Sequence, residues 1–285
     1  MVQVYVVRGF SKAKSGGNRA GVVLDGIARS AAQKIHIAKV LGYSETAFIL
    51  ESSVADLKLE YFTPTEEVPL CGHATIATFA LLKAMGRLDK ACYTIETKAG
   101  ILNVNVADDG MVMMQQNTPV YDAVLEVPRL TDWIEEKIIS TDLPIQIVST
   151  GLKDILLPIY SEEDLRKWQP DLKKLANLCK EEGVVGMHAF ALTKDSGITA
   201  VCRNFAPLYG IDEESATGTS NCALACYLYK YYKKQVAYIF EQGHNLGEVS
   251  RLVVQIEANK EEIEAVYVGG YGYLECEKSI SELGE

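Results

Sequence analysis

Two stretches of this chain, roughly half its length apart, follow one plan, and that plan limits the folds open to it. The first reads Tyr61-Phe62-Thr63-Pro64, an acidic loop, then Cys71-Gly72-His73-Ala74-Thr75-Ile76-Ala77-Thr78-Phe79-Ala80. The second reads Asn204-Phe205-Ala206-Pro207, an acidic loop, then Thr217-Gly218-Thr219-Ser220-Asn221-Cys222-Ala223-Leu224-Ala225-Cys226. Each is a strand end, a proline stop, a loop, and a glycine opening a helix of small residues. A helix begun this way presents backbone N–H groups at its tip, which suits an anion. Two such tips predict two similar halves facing each other across a cleft.

The flanking pattern agrees. Asp56 to Tyr61 and Ile101 to Val106 alternate apolar and polar residues, the period of a half-buried strand. Asp108-Asp109-Gly110 turns the chain into Met111-Val112-Met113-Met114 as a hairpin. Further strands are expected at 2–8, 20–24, 46–51, 91–97, 144–150, 154–159, 186–193, 198–205, 235–241, 250–257 and 263–275. Ser30 caps a helix over about 31–41, with Ile35, Ala38 and Leu41 on one stripe and Gly42 as its stop. Gly72 to Met85 and Gly218 to Tyr232 read as helices buried on most sides. Segments 162–168 and 171–181 are amphipathic, the second with Leu172, Leu175, Leu178 and Cys179 inward. Asn117-Thr118-Pro119 and Pro128 place the join between halves near 117–128.

The expected architecture is an α+β duplication, two pseudo-symmetric lobes, each a mostly antiparallel sheet rolled around a central helix. The first lobe covers 1–118, completed by C-terminal strands from about 262 to 285; the second covers 119–261. At 285 residues, with 48% hydrophobic and 23% charged, the chain can build two ordinary cores. A net charge of −10 argues against nucleic acid, which needs a basic face. Lys230, Lys233 and Lys234 read as a solvated helix end that complements the dipole. No apolar run reaches membrane-spanning length, and the start of the chain reads as a strand rather than a signal peptide. Seven scattered cysteines without a C-x-x-C pair suit free thiols and a cytoplasmic protein.

Some residues carry chemistry. Gly72 admits a ligand close to the backbone, and His73 on the same turn can donate a hydrogen bond or shuttle a proton. Cys71 reads equally as a thiol activated at a helix N-terminus or as a small buried hydrophobe. Glu45 follows a helix stop and opens an apolar strand; it is a solvated strand-end charge or, pressed against apolar neighbours, a general base with a raised pKa. Glu213 and Glu214 offer a second carboxylate beside the second helix tip. Cys222 and Cys226, four apart on one helix face, read as core packing. Gly16-Gly17-Asn18-Arg19-Ala20-Gly21 lacks the G-x-x-x-x-G-K-[ST] of phosphate loops, and Gly269-Gly270-Tyr271-Gly272 leads into no helix. No nucleotide cofactor and no metal are expected from these patterns.

Taken in order, Gly17-Asn18 with Ala20 to Leu24, Ser44-Glu45-Thr46-Ala47-Phe48, Phe62-Thr63-Pro64 with Glu67 to Thr75, Ala216-Thr217-Gly218, Gln242-Gly243 and Gly269-Gly270 resemble the PhzF phenazine-biosynthesis-like family over nearly the whole chain. The resemblance implies the diaminopimelate epimerase-like fold, a cofactor-free isomerase acting on a small anionic metabolite, and a homodimer. It implies Glu45 as the group that takes and returns a proton. It implies His73 and Glu214 as assisting groups, and Asn18, Cys71, Gly72, Gly218 and Thr219 as substrate contacts. The chain departs from the family in three places. Glu214-Ser215 stands where Asp-Pro is usual, the extra methylene moving the carboxylate by about 1.5 Å. Arg19 replaces a common proline, and Thr219 a frequent serine. Two alternatives accompany this reading: a catalytically silent binding protein on the same fold, or a Cys71-dependent epimerase. Ser215 stands where the second thiol of a two-base epimerase would be.

Overall fold

The computed structural model describes residues 1–27, 29–194 and 197–281. The chain divides into two units, one holding residues 1–115 and the stretch from Gly269 onward, the other residues 116–268.

The first unit contains β1 (Val2–Ser11), β2 (Asn18–Val23), α1 (Ala31–Leu41), β3 (Glu45–Leu50), β4 (Leu57–Phe62), β5 (Glu67–Val68), α2 (Gly72–Ala84), β6 (Cys92–Thr97), β7 (Gly100–Val106) and β8 (Val112–Gln116). The second contains β9 (Val120–Leu125), β10 (Ile145–Ser149), β11 (Lys153–Pro158), α3 (Glu162–Lys167), α4 (Leu172–Glu182), β12 (Gly186–Leu192), β13 (Ala200–Ala206), β14 (Ile211–Glu214), α5 (Gly218–Tyr231), β15 (Ala237–Gln242) and β16 (Ser250–Asn259). A long last strand, β17 (Glu262–Ile280), carries the chain back into the first unit.

Pairing in the first unit closes on itself. β1 runs antiparallel to β2, β2 parallel to β3, β3 antiparallel to β4, and β4 parallel to β6. β6, β7 and β8 then form an antiparallel meander, β8 pairs with β17, and β17 returns antiparallel to β1 with Val2 opposite Ile280. This ring surrounds α2, whose residues from His73 to Leu82 are all buried. A helix so enclosed has no polar face, which is why its sequence is small and apolar throughout. Gly9 of β1 packs tightly on its first turn: a Cβ there would stand 2.4 Å from the His73 carbonyl oxygen.

The second unit repeats the signs of pairing in the same order. β9–β10 and β10–β11 are antiparallel, β11–β12 parallel, β12–β13 antiparallel, β13–β15 parallel and β15–β16 antiparallel. Here α5 is the enclosed helix, buried from Ser220 to Leu228. Cys222 and Cys226 lie in that core. α3 and α4 take the place that α1 holds in the first unit. No helix among the described residues is long and apolar enough to cross a membrane.

Several local expectations change. The stretch 117–128 is more than a join: it contains β9, whose Val120 and Val124 are exposed and hide the alternation that marks a strand. The acidic loops after Pro64 and Pro207 are pinned by β5 and β14, which fold back on β4 and β13. In α1 the capping box of Ser30 and Gln33 and the left-handed Gly42 stand as read, but the fully buried stripe is Lys34, Ile37, Ala38 and Leu41, with Ile35 only partly covered. Lys34 is tolerated inside because Glu60 accepts from its ammonium at 2.5 Å and the rings of Phe48 and Phe62 face it.

Candidate active site

In the first unit, five of the expected site residues converge on the start of α2. Cys71 is its extended N-cap, and the helical ladder begins only with the Thr75 N–H donating to the Cys71 carbonyl. The first-turn N–H groups of Gly72, His73 and Ala74 therefore lie outside the helix's own ladder. Cys71 and His73 are buried, whereas Gly72 is partly exposed.

Glu45 reaches this turn from the first position of β3, where it pairs with Ala20 of β2. Its Oε2 lies 3.3 Å from His73 Nε2, and its side chain is 18% exposed. It is thus a half-buried group facing an imidazole, not a solvated strand-end charge. Oε2 itself is buried and receives no hydrogen bond, so the two atoms are close without being aligned as donor and acceptor. Asn18, first residue of β2, holds its amide nitrogen 3.4 Å from His73 Nδ1, and Cys71 Sγ lies 3.5 Å from the same nitrogen. Burial holds the His73 pKa below its ordinary value; Glu45 and a backbone hydrogen bond to Arg19 pull the other way. The imidazole is consequently neutral at pH 7, able to give one proton and accept another.

In the second unit, α5 opens at Gly218 behind the extended Thr217. Glu214, at the end of β14, accepts from the Thr217 hydroxyl at 2.6 Å. Gln242, at the end of β15 and fully buried, ties this corner together. Its amide nitrogen donates to the Glu214 carbonyl at 2.7 Å and to Thr217 Oγ1 at 3.0 Å. Its oxygen accepts from the Thr217 backbone at 3.2 Å and the Asn221 amide at 2.9 Å. Thr219 is partly exposed, and its carbonyl accepts from Thr150 Oγ1 at 2.9 Å. Glu213 is not available as a site carboxylate, because it forms a two-point ion pair with the buried Arg203 guanidinium at 2.8 and 3.0 Å.

Beneath this corner lies a polar group that sequence reasoning missed. Ser220 donates to Asp154 and accepts from Asn204 at 3.2 Å, and Asn204 also approaches His188 Nδ1 at 3.2 Å. All four residues are buried. Burial raises Asp154 to about 6 despite bonds from Ser220 and the Gly186 backbone, and it lowers His188 to about 3. The residues come from four separate elements, so no local motif announces them. Gln242, by contrast, stands in the noticed pair Gln242-Gly243, but nothing local shows what its amide holds.

The family model of phenazine biosynthesis-like proteins (PhzC-PhzF) matches residues 7–277. An uncharacterized isomerase of Clostridium acetobutylicum is 36% identical over 287 residues, covering 94% of each chain. The trans-2,3-dihydro-3-hydroxyanthranilate isomerase of Pseudomonas aeruginosa is 27% identical over 95% of this chain and 96% of its own. Among solved structures, the phenazine biosynthesis protein of the PhzF family from Bacillus anthracis superposes with a TM-score of 0.90 at 29% identity, covering 98% of this chain and 99% of that one.

Proposed function

The chain belongs to the phenazine biosynthesis-like family and is an isomerase, and we propose that it moves a proton within a small carboxylate-bearing metabolite by glutamate acid/base catalysis. One observation carries this reading: the Glu45 carboxylate stands beside the neutral imidazole of His73 on a glycine-opened helix turn.

In this mechanism the first-turn N–H groups at Gly72 receive the substrate carboxylate. Glu45 takes a proton from an acidified carbon, and the charge spreads into a conjugated system or carbonyl. His73 gives a hydrogen bond to the developing anion, with Asn18 fixing its ring. The protonated Glu45 returns the proton to a second carbon. A positioned base of this kind contributes about 10²–10⁴-fold in rate. Nothing in these steps asks for a cofactor. In the second unit the α5 tip at Gly218 and Thr219 is a turn of the same anion-binding kind, with Glu214 held beside it by Thr217 and Gln242.

The test is proton exchange in heavy water, followed by NMR. The substrates are trans-2,3-dihydro-3-hydroxyanthranilate and a panel of small unsaturated carboxylic acids. Deuterium should enter a substrate carbon with the native chain and be lost in Glu45→Gln. Exchange that continues unchanged in Glu45→Gln removes Glu45 as the base. Binding of a panel member without exchange points instead to a silent binding protein.

A further inference from the structure

The same turn of α2 carries a feature that proton transfer does not require. Glu45, Cys71 and His73 each bring one donor atom, and these three atoms lie within 4.8 Å of one another. A carboxylate oxygen, a thiol sulfur and an imidazole nitrogen form a mixed set that zinc accepts readily. No other cluster of three such residues occurs among the described residues.

The second observation is the Glu45 Oε2 atom. It is buried and receives no hydrogen bond, although His73 Nε2 is 3.3 Å away. A buried carboxylate oxygen without a donor is costly. The separation is nevertheless that of two ligands on one ion: zinc bonds of about 2.0–2.1 Å at the tetrahedral angle put nitrogen and oxygen about 3.4 Å apart. Cys71 Sγ is 3.5 Å from Nδ1 and 3.9 Å from Nε2 of the ring, against roughly 3.6 Å for sulfur and nitrogen sharing a zinc ion. The sulfur lies at nearly equal distances from the two ring nitrogens rather than in line with either, so a turn about a side-chain bond of Cys71 or His73 is needed to aim both at one point. Coordination through Nε2 places the ring proton on Nδ1, toward Asn18, whose amide can turn its oxygen to accept it.

We propose that Glu45, Cys71 and His73 bind one zinc-class divalent cation, leaving a fourth position open, and that the bound cation silences these side chains. Metal capture would then compete with substrate at this turn. The binding claim stands on the ligand set alone and does not depend on the isomerase reading.

The full chain, stripped with chelator, is titrated with cobalt(II) and then zinc(II), and the spectrum is read without any turnover. One cobalt per chain should bind with a thiolate-to-cobalt charge-transfer band, and one equivalent of zinc should displace it. Cys71→Ser should abolish the band and weaken binding by about 100-fold or more, since loss of a ligand costs at least what loss of its supporting bond does. Glu45→Gln should weaken binding to a similar degree while keeping the band, which preserves the test if Cys71→Ser does not fold. Cys92→Ser with Cys276→Ser, which removes the exposed thiols, should change nothing. No band in the native chain, a band that survives Cys71→Ser, or binding that disappears with Cys92 and Cys276 overturns the proposal. Added zinc should also slow deuterium exchange; loss of that effect alone speaks to the isomerase reading, because the cobalt spectrum is independent of it.

Discussion

Glu45 and His73 meet at 3.3 Å because β3 begins beside the point where α2 begins. Ala20 of β2 pairs with Glu45, and Asn18 two residues earlier reaches the His73 ring. The sheet thus delivers a carboxylate and an amide to the same imidazole. Opposed influences set the imidazole's charge: burial lowers its pKa, and the carboxylate and the Arg19 backbone hydrogen bond raise it. Replacing Glu45 with Gln should therefore drive the His73 pKa lower still, read by NMR titration of the ring. Proton exchange should fall about 10²–10⁴-fold in the same variant. A His73 resonance that titrates identically in both proteins would mean the carboxylate is not felt by the ring.

Gln242 anchors the start of α5 in the second unit. It is fully buried and makes four hydrogen bonds to Glu214, Thr217 and Asn221. Leucine has similar bulk but removes all four of these hydrogen bonds. Gln242→Leu should lower stability by about 3 kcal/mol in denaturant unfolding, the cost of several unsatisfied buried groups. Hydrogen exchange should quicken at Thr217 and in the first turn of α5, where the backbone loses its anchor. Equal protection in both proteins would show that Gln242 does not hold this corner.

Gly9 tests how tightly the first ring grips its helix. An added Cβ would stand 2.4 Å from the His73 carbonyl oxygen and 3.3 Å from His73 Cα, and that neighbour is backbone. Neither β1 nor the first turn of α2 can yield without disturbing the other. Gly9→Ala should cost about 1–3 kcal/mol as an overpacking change, and it should displace His73 from Glu45. Thermal unfolding and the His73 ring shifts check both parts. A variant as stable as the native chain would show that the ring has slack there.

Much of this was legible in the chain because the informative residues are local. Ser30, Gln33 and Gly42 bound α1 by capping chemistry that acts within a few residues. The repeated glycine-opened helices announced two enclosed helices, since only a helix buried all round is so uniformly small and apolar. What stayed hidden depends on register between distant strands. No spacing rule brings Glu45 to Cys71 and His73; parallel pairing of β2 with β3 does. Exposed Val120 and Val124 concealed β9, because a strand with little buried face shows no alternation. Asp154, Ser220, Asn204 and His188 were likewise invisible, each coming from a different element.

That last group makes a prediction about acid. His188 has a folded pKa of about 3 against an ordinary 6.5, so between those limits the unfolded chain holds a proton that the folded chain refuses. Stability due to His188 is intact above about 6.5 and is lost as pH falls toward 3. Asp154 acts oppositely: with a folded pKa of about 6 against 3.8, the folded chain takes up a proton that the unfolded chain does not hold. Its burial penalty is present above about 6 and is relieved as pH falls toward 3.8. Over the shared window the two effects offset, each worth about 1.4 kcal/mol per pH unit. Asp154→Asn keeps an acceptor for Ser220 but removes the relief. Relative to the native chain, it should lose stability by about 3 kcal/mol in total as pH falls from 6 to 3.8, while His188→Gln should gain on acidification below 6.5. Urea unfolding of the three proteins at steps from pH 7 to pH 4 reads these differences directly, and shifts common to all other groups cancel. Parallel curves for the native chain and Asp154→Asn would mean that Asp154 stays ionised inside the fold and that the offset does not exist.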